Sequence, residues 1–172
     1  MADDFQTLIG TRTLENRIGE IAHLIRDAYQ TPPLLVAIAQ GARVFASHLS
    51  NHLGDWAELG EIGARSYGDG TKSPGEVEVY DGEYLDPRGR DVLLLEDIVD
   101  TGHTVARVGE YLLGRGALSV AVATLLSKPA RRVIPIELRY TGFEIPDLFV
   151  VGFGMDLAGE HRDLDRVAVA HP

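Results

Sequence analysis

The chain has 172 residues and no cysteine, so it is one domain's worth of protein with enough length to bury a full core, and disulfides and thiolate metal sites are excluded. A composition that is 45% hydrophobic and 24% charged suits a globular protein, and a net charge of −10 argues against nucleic acid as a partner, since that affinity comes from Lys and Arg meeting phosphates. No apolar run is long enough to span a bilayer, and Met1-Ala2-Asp3-Asp4 lacks a basic leader, so the expectation is a cytoplasmic protein with no membrane contact.

Residues 14–29 carry Leu14, Ile18, Ile21, Leu24, Ile25 and Ala28 at helical spacing. This predicts an amphipathic helix with Thr13 as N-cap, stopped by Thr31-Pro32-Pro33. The run 34–39, LLVAIA, is apolar on both faces and predicts a strand buried in a parallel sheet. Gly41 punctuates the chain, and Val44, Phe45, His48 and Leu49 predict a second helix ending near Gly54. Strands are expected near 57–65 and 76–80, with a Gly-, Ser- and Pro-rich stretch between them that reads as a long mobile loop. Pro87-Arg88-Gly89 turns the chain into the apolar run 92–95. A helix over 104–115, with Gly116 at its C-terminal end, and apolar strands at 119–126 and 148–151 complete the set. Buried strands alternating with amphipathic helices imply a mostly parallel α/β sheet flanked by helices, and ligands of such sheets bind where strand ends enter helices.

That rule singles out VLLLEDIVDTGHTV, residues 92–105. Its last residues offer successive backbone N–H groups and two hydroxyls at a helix N-terminus, an arrangement that cradles phosphate. It is not a Walker A loop, because the chain holds no G-x-x-x-x-G-K-[ST]. Helix capping accounts for one acid or one threonine. It does not account for Glu96 beside Asp97, whose mutual repulsion needs an offset. Ribose hydroxyls, or a divalent cation bridging hydroxyls to phosphate, would supply it. A sugar phosphate satisfies the whole loop.

The same stretch closely resembles the 5-phosphoribosyl 1-pyrophosphate signature of the type I phosphoribosyltransferase family. Residues 66–79 and 141–164 resemble the hypoxanthine-guanine branch of that family, and the likeness runs from about residue 10 to the C-terminal region. The resemblance implies a type I phosphoribosyltransferase fold in one domain, with a small hood built from the N- and C-terminal segments and a lid loop at 66–75. It implies that Glu96 and Asp97 hold the ribose hydroxyls, directly or through magnesium. Asp100, Thr101, Gly102, His103 and Thr104 would form the 5′-phosphate pocket, with Asp100 also the general base toward the purine. Lys128 would donate to the 6-oxo group, Phe149 would stack on the purine, and the backbone at Val150 would read its edge. Asp156 would lie at the purine side and help bind a second magnesium. Gln40, Gly41, Ser66, Tyr67 and Arg162 would meet the pyrophosphate. Gln40 departs from the lysine frequent in this branch and brings no charge, which predicts weaker pyrophosphate affinity. Dimers or tetramers are common in the family.

Taken singly, Lys128 reads as a solvated lysine, Phe149 as core and Tyr67 as an exposed loop aromatic. Spaced around the signature loop, they read as site residues. His103 has no second histidine at ligand spacing nearby, so a metal role for it is weak. Competing expectations are an enzyme acting on xanthine, adenine or a pyrimidine, and a non-catalytic regulator that senses the ribosyl pyrophosphate. Lys128 speaks against adenine, because an ammonium cannot accept from a 6-amino group. The charge of −10 speaks against a nucleic-acid-binding regulator.

Overall fold

The computed structural model describes residues 5–66, 77–81 and 85–170. In chain order its main elements are β1 (Gln6–Ile9), α1 (Thr11–Ala28), β2 (Leu34–Ala39), α2 (Ala42–Leu53), β3 (Leu59–Ser66), β4 (Val77–Asp81), β5 (Asp91–Val99), α3 (His103–Gly114), β6 (Ser119–Ser127), β7 (Tyr140–Glu144), β8 (Val150–Val151) and β9 (Val167–Val169). Six strands form one sheet in the order β4-β3-β2-β5-β6-β7, parallel throughout except for β3 with β4. The expected α/β architecture is borne out.

The parallel sheet is covered on both faces because its central strands are apolar at every position. In β2, Leu35 and Ala37 face α1 and α2, where they meet Leu14, Ile18, Phe45 and Leu49. Leu34, Val36 and Ile38 face the other way, toward Val105, Val108 and Leu112 of α3. Full burial of each such side chain contributes roughly 1.5–3 kcal/mol, which fixes the register of strand against helix. That register aims the carboxyl ends of β2, β5 and β6 at one cleft.

Several boundaries differ from the sequence expectations. The N-cap of α1 is Gly10 rather than Thr13, whose own N–H already donates to Gly10 O at 3.0 Å. Strand β5 runs on to Val99, because Ile98 and Val99 still pair with Leu126 and Ser127 of β6. Glu96 and Asp97 therefore lie within the strand, not after it. Strand β7 was not expected. It is a half-buried edge strand whose Gly142 passes so close to β6 that a Cβ there would sit 2.4 Å from Leu125 O.

Residues 148–151 do not join the parallel sheet. Only Val150 and Val151 are extended, and they belong to a second, antiparallel sheet of order β1-β9-β8. Both ends of the chain contribute to this sheet, where Gln6 pairs with Val169 and Val169 with Val150. A two-residue strand carries too little periodicity to declare its partner. Of the stretch expected to act as a lid, Ser66 ends β3 opposite Val77. Tyr67 and the remainder to residue 75 lie outside the described residues.

Candidate active site

A cavity of about 710 Å³ opens between the carboxyl edge of the parallel sheet and the second sheet. Asp97, Ile98 and Asp100 line it from β5 and the following turn, Lys128 from the end of β6, and Phe149, Val150 and Asp156 from the opposite side. Next to it, a pocket of about 70 Å³ is bounded by Glu96, Asp100, Thr101, Gly102 and Thr104. The two cavities share Asp100. One is large enough for a flat base, and the other is the size of a compact anion.

The small pocket is shaped by backbone. Gly102 precedes α3 with φ +93° and ψ −7°, a left-handed conformation that a side chain would strain. Among the described residues no side chain caps α3, and no acid occupies its first turn, so its N-terminus keeps a positive end directed at the pocket. Capping, the simple explanation for Asp100 and Thr101, is therefore not what these residues do. His103 is the first residue of the helix.

The loop is held from behind by Lys128 and by residues that sequence reasoning missed, Arg131 to Ile134 and Asp147. Lys128 N donates to Val99 O, Arg132 Nε to Asp100 O, and both Val133 N and Ile134 N to Thr101 O, each at 3.0 Å. Arg131 Nε donates to Asp100 Oδ1 at 3.0 Å, and Arg131 Nη1 lies 3.6 Å from Asp147 Oδ2. The other oxygen of Asp147 lies 3.6 Å from Lys128 Nζ. A chain of alternating charge thus runs Lys128, Asp147, Arg131, Asp100 along one wall. The sequence signal was the cluster Lys128-Pro129-Ala130-Arg131-Arg132, dense in charge on an acidic chain.

Lys128 is buried and not a solvated surface lysine. Phe149 is 46% exposed and lines the cavity, while Val150 is buried in β8. Core membership for Phe149 is excluded by that exposure.

Glu96 and Asp97 are both buried. Burial, and then the charge of Asp97, hold the Glu96 carboxyl well above the ordinary carboxylate range. Asp97 N donates to Glu96 Oε1 at 3.2 Å. A Cβ placed on Gly41 would lie 2.1 Å from Asp97 Oδ2, so this carboxylate rests against the bare backbone of the turn after β2. The peptide Ala39-Gln40 in that turn is cis. Arg162 Nη1 donates to Gln40 Oε1 at 2.8 Å and Arg162 Nη2 to Asp156 Oδ1 at 2.7 Å. Gly154, at φ +100°, packs on Gly41 so closely that a Cβ would stand 2.3 Å from Gly41 O.

Among the described residues, no three His, Asp or Glu side chains converge as a ready-made metal site, so Glu96, Asp97 and Asp156 do not form one ligand set by themselves. The buried acid pair with its raised carboxyl nonetheless suits a hard divalent cation or hydroxyl donors brought by a ligand.

A doubly covered parallel sheet, with an anion pocket and paired acids at its carboxyl edge, defines an α/β enzyme that handles a phosphorylated sugar. The description "Phosphoribosyl transferase domain" fits residues 11–158, and the chain belongs to the phosphoribosyltransferase family. It is 35% identical to the hypoxanthine-guanine phosphoribosyltransferase of Bacillus subtilis, over 97% of this chain and 93% of that protein. A crystal structure of a hypoxanthine phosphoribosyltransferase from Staphylococcus aureus superposes with a TM-score of 0.89 at 34% identity, covering 98% of this chain and 93% of that one. The hypoxanthine phosphoribosyltransferase of Trypanosoma cruzi superposes at 0.90 with 29% identity, covering 100% and 95%. Within the family, the chain sits on the hypoxanthine-guanine branch.

Proposed function

We propose that the protein transfers the 5-phosphoribosyl group of 5-phosphoribosyl 1-pyrophosphate to hypoxanthine or guanine, giving IMP or GMP and pyrophosphate, in purine salvage. The observation that carries this is the placement of Lys128, Asp100 and Phe149 around one cavity. A buried ammonium can only donate, so it selects a 6-oxo group over a 6-amino group. Phe149 offers a face for stacking. Asp100 lies where it reaches both the base and the small anion pocket.

In this reaction the bond from the anomeric carbon to pyrophosphate breaks and a bond to a purine ring nitrogen forms. The purine proton passes to Asp100, whose carboxylate is held by Arg131. The 5′-phosphate takes the pocket at Thr101, Gly102, His103 and Thr104, and Glu96 with Asp97 orients the ribose hydroxyls. Arg162, with the turn at Gln40 and Gly41, faces the leaving pyrophosphate, to which Ser66 and Tyr67 are also assigned. Magnesium held by Glu96 and Asp97, with a second magnesium held by Asp156, would neutralise the developing charge. Water must be kept from the activated ribose during transfer, since it would otherwise hydrolyse it.

A homo-oligomer, dimer or tetramer, and a cytoplasmic location belong to the same proposal. Among the described residues, no helix is long and apolar enough to cross a membrane. The test is a panel: protein, ribosyl pyrophosphate and magnesium with hypoxanthine, guanine, xanthine, adenine and uracil in turn. Nucleotide is expected from the first two and not without magnesium. Conversion of adenine or uracil alone overturns the base assignment, and no conversion at all leaves the sensing regulator.

A further inference from the structure

We propose that Gln40 is a positioning residue for pyrophosphate: its neutral side chain holds the Arg162 guanidinium over the turn after β2, so that the C-terminal turn supplies the positive charge this turn lacks. The inference rests on the proposed function and deepens it. Arg162 spans Gln40 Oε1 at 2.8 Å and Asp156 Oδ1 at 2.7 Å, and the other Asp156 oxygen accepts from Gly159 N at 2.6 Å. The main chain reinforces the clamp, since Gly154 N donates to Arg162 O at 3.0 Å and Gly154 packs on Gly41.

The chemistry of the amide explains why glutamine suits this place. Arginine has only donors, so Gln40 must turn its carbonyl oxygen to Arg162, and its NH2 group is left to donate elsewhere. Lysine would oppose a like charge across the same 2.8 Å gap and push Arg162 away. Glutamate would grip Arg162 but repel an anion. Only a neutral side chain with an acceptor and a donor both holds the arginine and tolerates pyrophosphate beside it. The local acids, Glu96, Asp97 and Asp156, make this positive charge matter.

The test compares Gln40→Lys, Gln40→Met, Arg162→Gln and the double variant Gln40→Met/Arg162→Gln. The readouts are the KM for pyrophosphate in the reverse reaction on IMP, the KM for hypoxanthine, the thermal midpoint, and calorimetric binding of magnesium pyrophosphate. A hydrogen bond to a charged, partly exposed group predicts a rise of about tenfold in the pyrophosphate KM for Gln40→Met, with the hypoxanthine KM and the midpoint unmoved. Gln40→Lys should also weaken pyrophosphate, although it adds a positive charge, and the double variant should be no worse than Arg162→Gln alone. Tighter pyrophosphate with Gln40→Lys, or fold-changes that multiply in the double variant, would overturn the proposal. Calorimetry needs no turnover. A protein that forms no nucleotide yet shows the predicted calorimetric pattern therefore refutes the transferase reading and keeps the anion clamp.

Discussion

Arg131 donates from Nε to Asp100 Oδ1 at 3.0 Å, joining side chains that stand 31 residues apart. Both are substantially exposed, at 48% and 38% of the side chain, and screened by solvent, so the pair contributes little to stability. Its consequence is orientation. With Oδ1 engaged by Arg131, the second oxygen of Asp100 is the one offered to a ligand.

Replacing Arg131 by Gln should therefore move the thermal midpoint by no more than roughly 2–4 °C. Turnover should fall about tenfold, since a base that rotates is misplaced for most of its time. Asp100→Asn should fall further, by about 10²–10⁴, with the affinity for the ribosyl pyrophosphate retained. Single-turnover rates for the two variants check the order. Turnover by Arg131→Gln equal to or above that of the native protein would make Arg131 a restraint rather than a support.

Lys128 is 8% exposed and 3.6 Å from Asp147. Lys128→Gln keeps a donor, removes the charge and adds an acceptor. The KM for hypoxanthine and guanine should rise about tenfold, and adenine should begin to compete, because Gln can turn its carbonyl to a 6-amino group. Competition assays with adenine read this directly. Unaltered purine affinities would leave Lys128 with a structural role only.

The parallel sheet was legible because β2, β5 and β6 are apolar at successive positions, a pattern that needs two covered faces. The site loop was legible because Glu96, Asp97 and Asp100 gather at one strand end and are costly without a ligand. Arg131 and Asp147 were not, since what they do depends on a fold that brings Arg131 against Asp100 and Asp147 against Arg131. Phe149 illustrates the limit of periodicity. It stands directly before an apolar strand, but β8 begins one residue later and Phe149 lines the cavity. Lys128 shows the converse, a charge buried because β6 carries it inward.

Glu96 gives the protein a pH dependence whose sign follows from burial. Its carboxyl is raised well above 4.5, chiefly by desolvation and then by Asp97. The folded state therefore keeps a proton that the unfolded chain releases. The stability tied to this group is fully present below pH 4.5 and is lost as pH rises through the elevated folded value. Glu96→Gln removes that loss. Thermal melts of the ligand-free protein between pH 5 and 8 should show a flatter profile for the variant. At the upper end its midpoint should be higher, by roughly 2–4 °C for each 1 kcal/mol relieved. Nucleotide formation should still fall, because a ribose or magnesium ligand is gone. Parallel pH profiles in the two proteins would show that Glu96 is not the group responsible.

The contact between Gly41 and Asp97 separates stability from activity. A methyl group on Gly41 would stand 2.1 Å from Asp97 Oδ2, but what it meets is the far end of a side chain that can rotate. Gly41→Ala should then fold with little loss of stability while displacing a carboxylate assigned to ribose and magnesium. A misplacement of about 1 Å at such a group costs about 10²-fold in rate. Gly154→Ala is the contrasting variant. Its Cβ would meet Gly41 O, a backbone atom, at 2.3 Å, and φ is +100°. Neither partner can move aside without shifting main chain, so this change should lower the thermal midpoint as well as the rate. Melts and initial rates on the two proteins decide the matter. If Gly41→Ala loses stability as Gly154→Ala does, the turn after β2 is a rigid structural element, and Asp97 is not the part that yields.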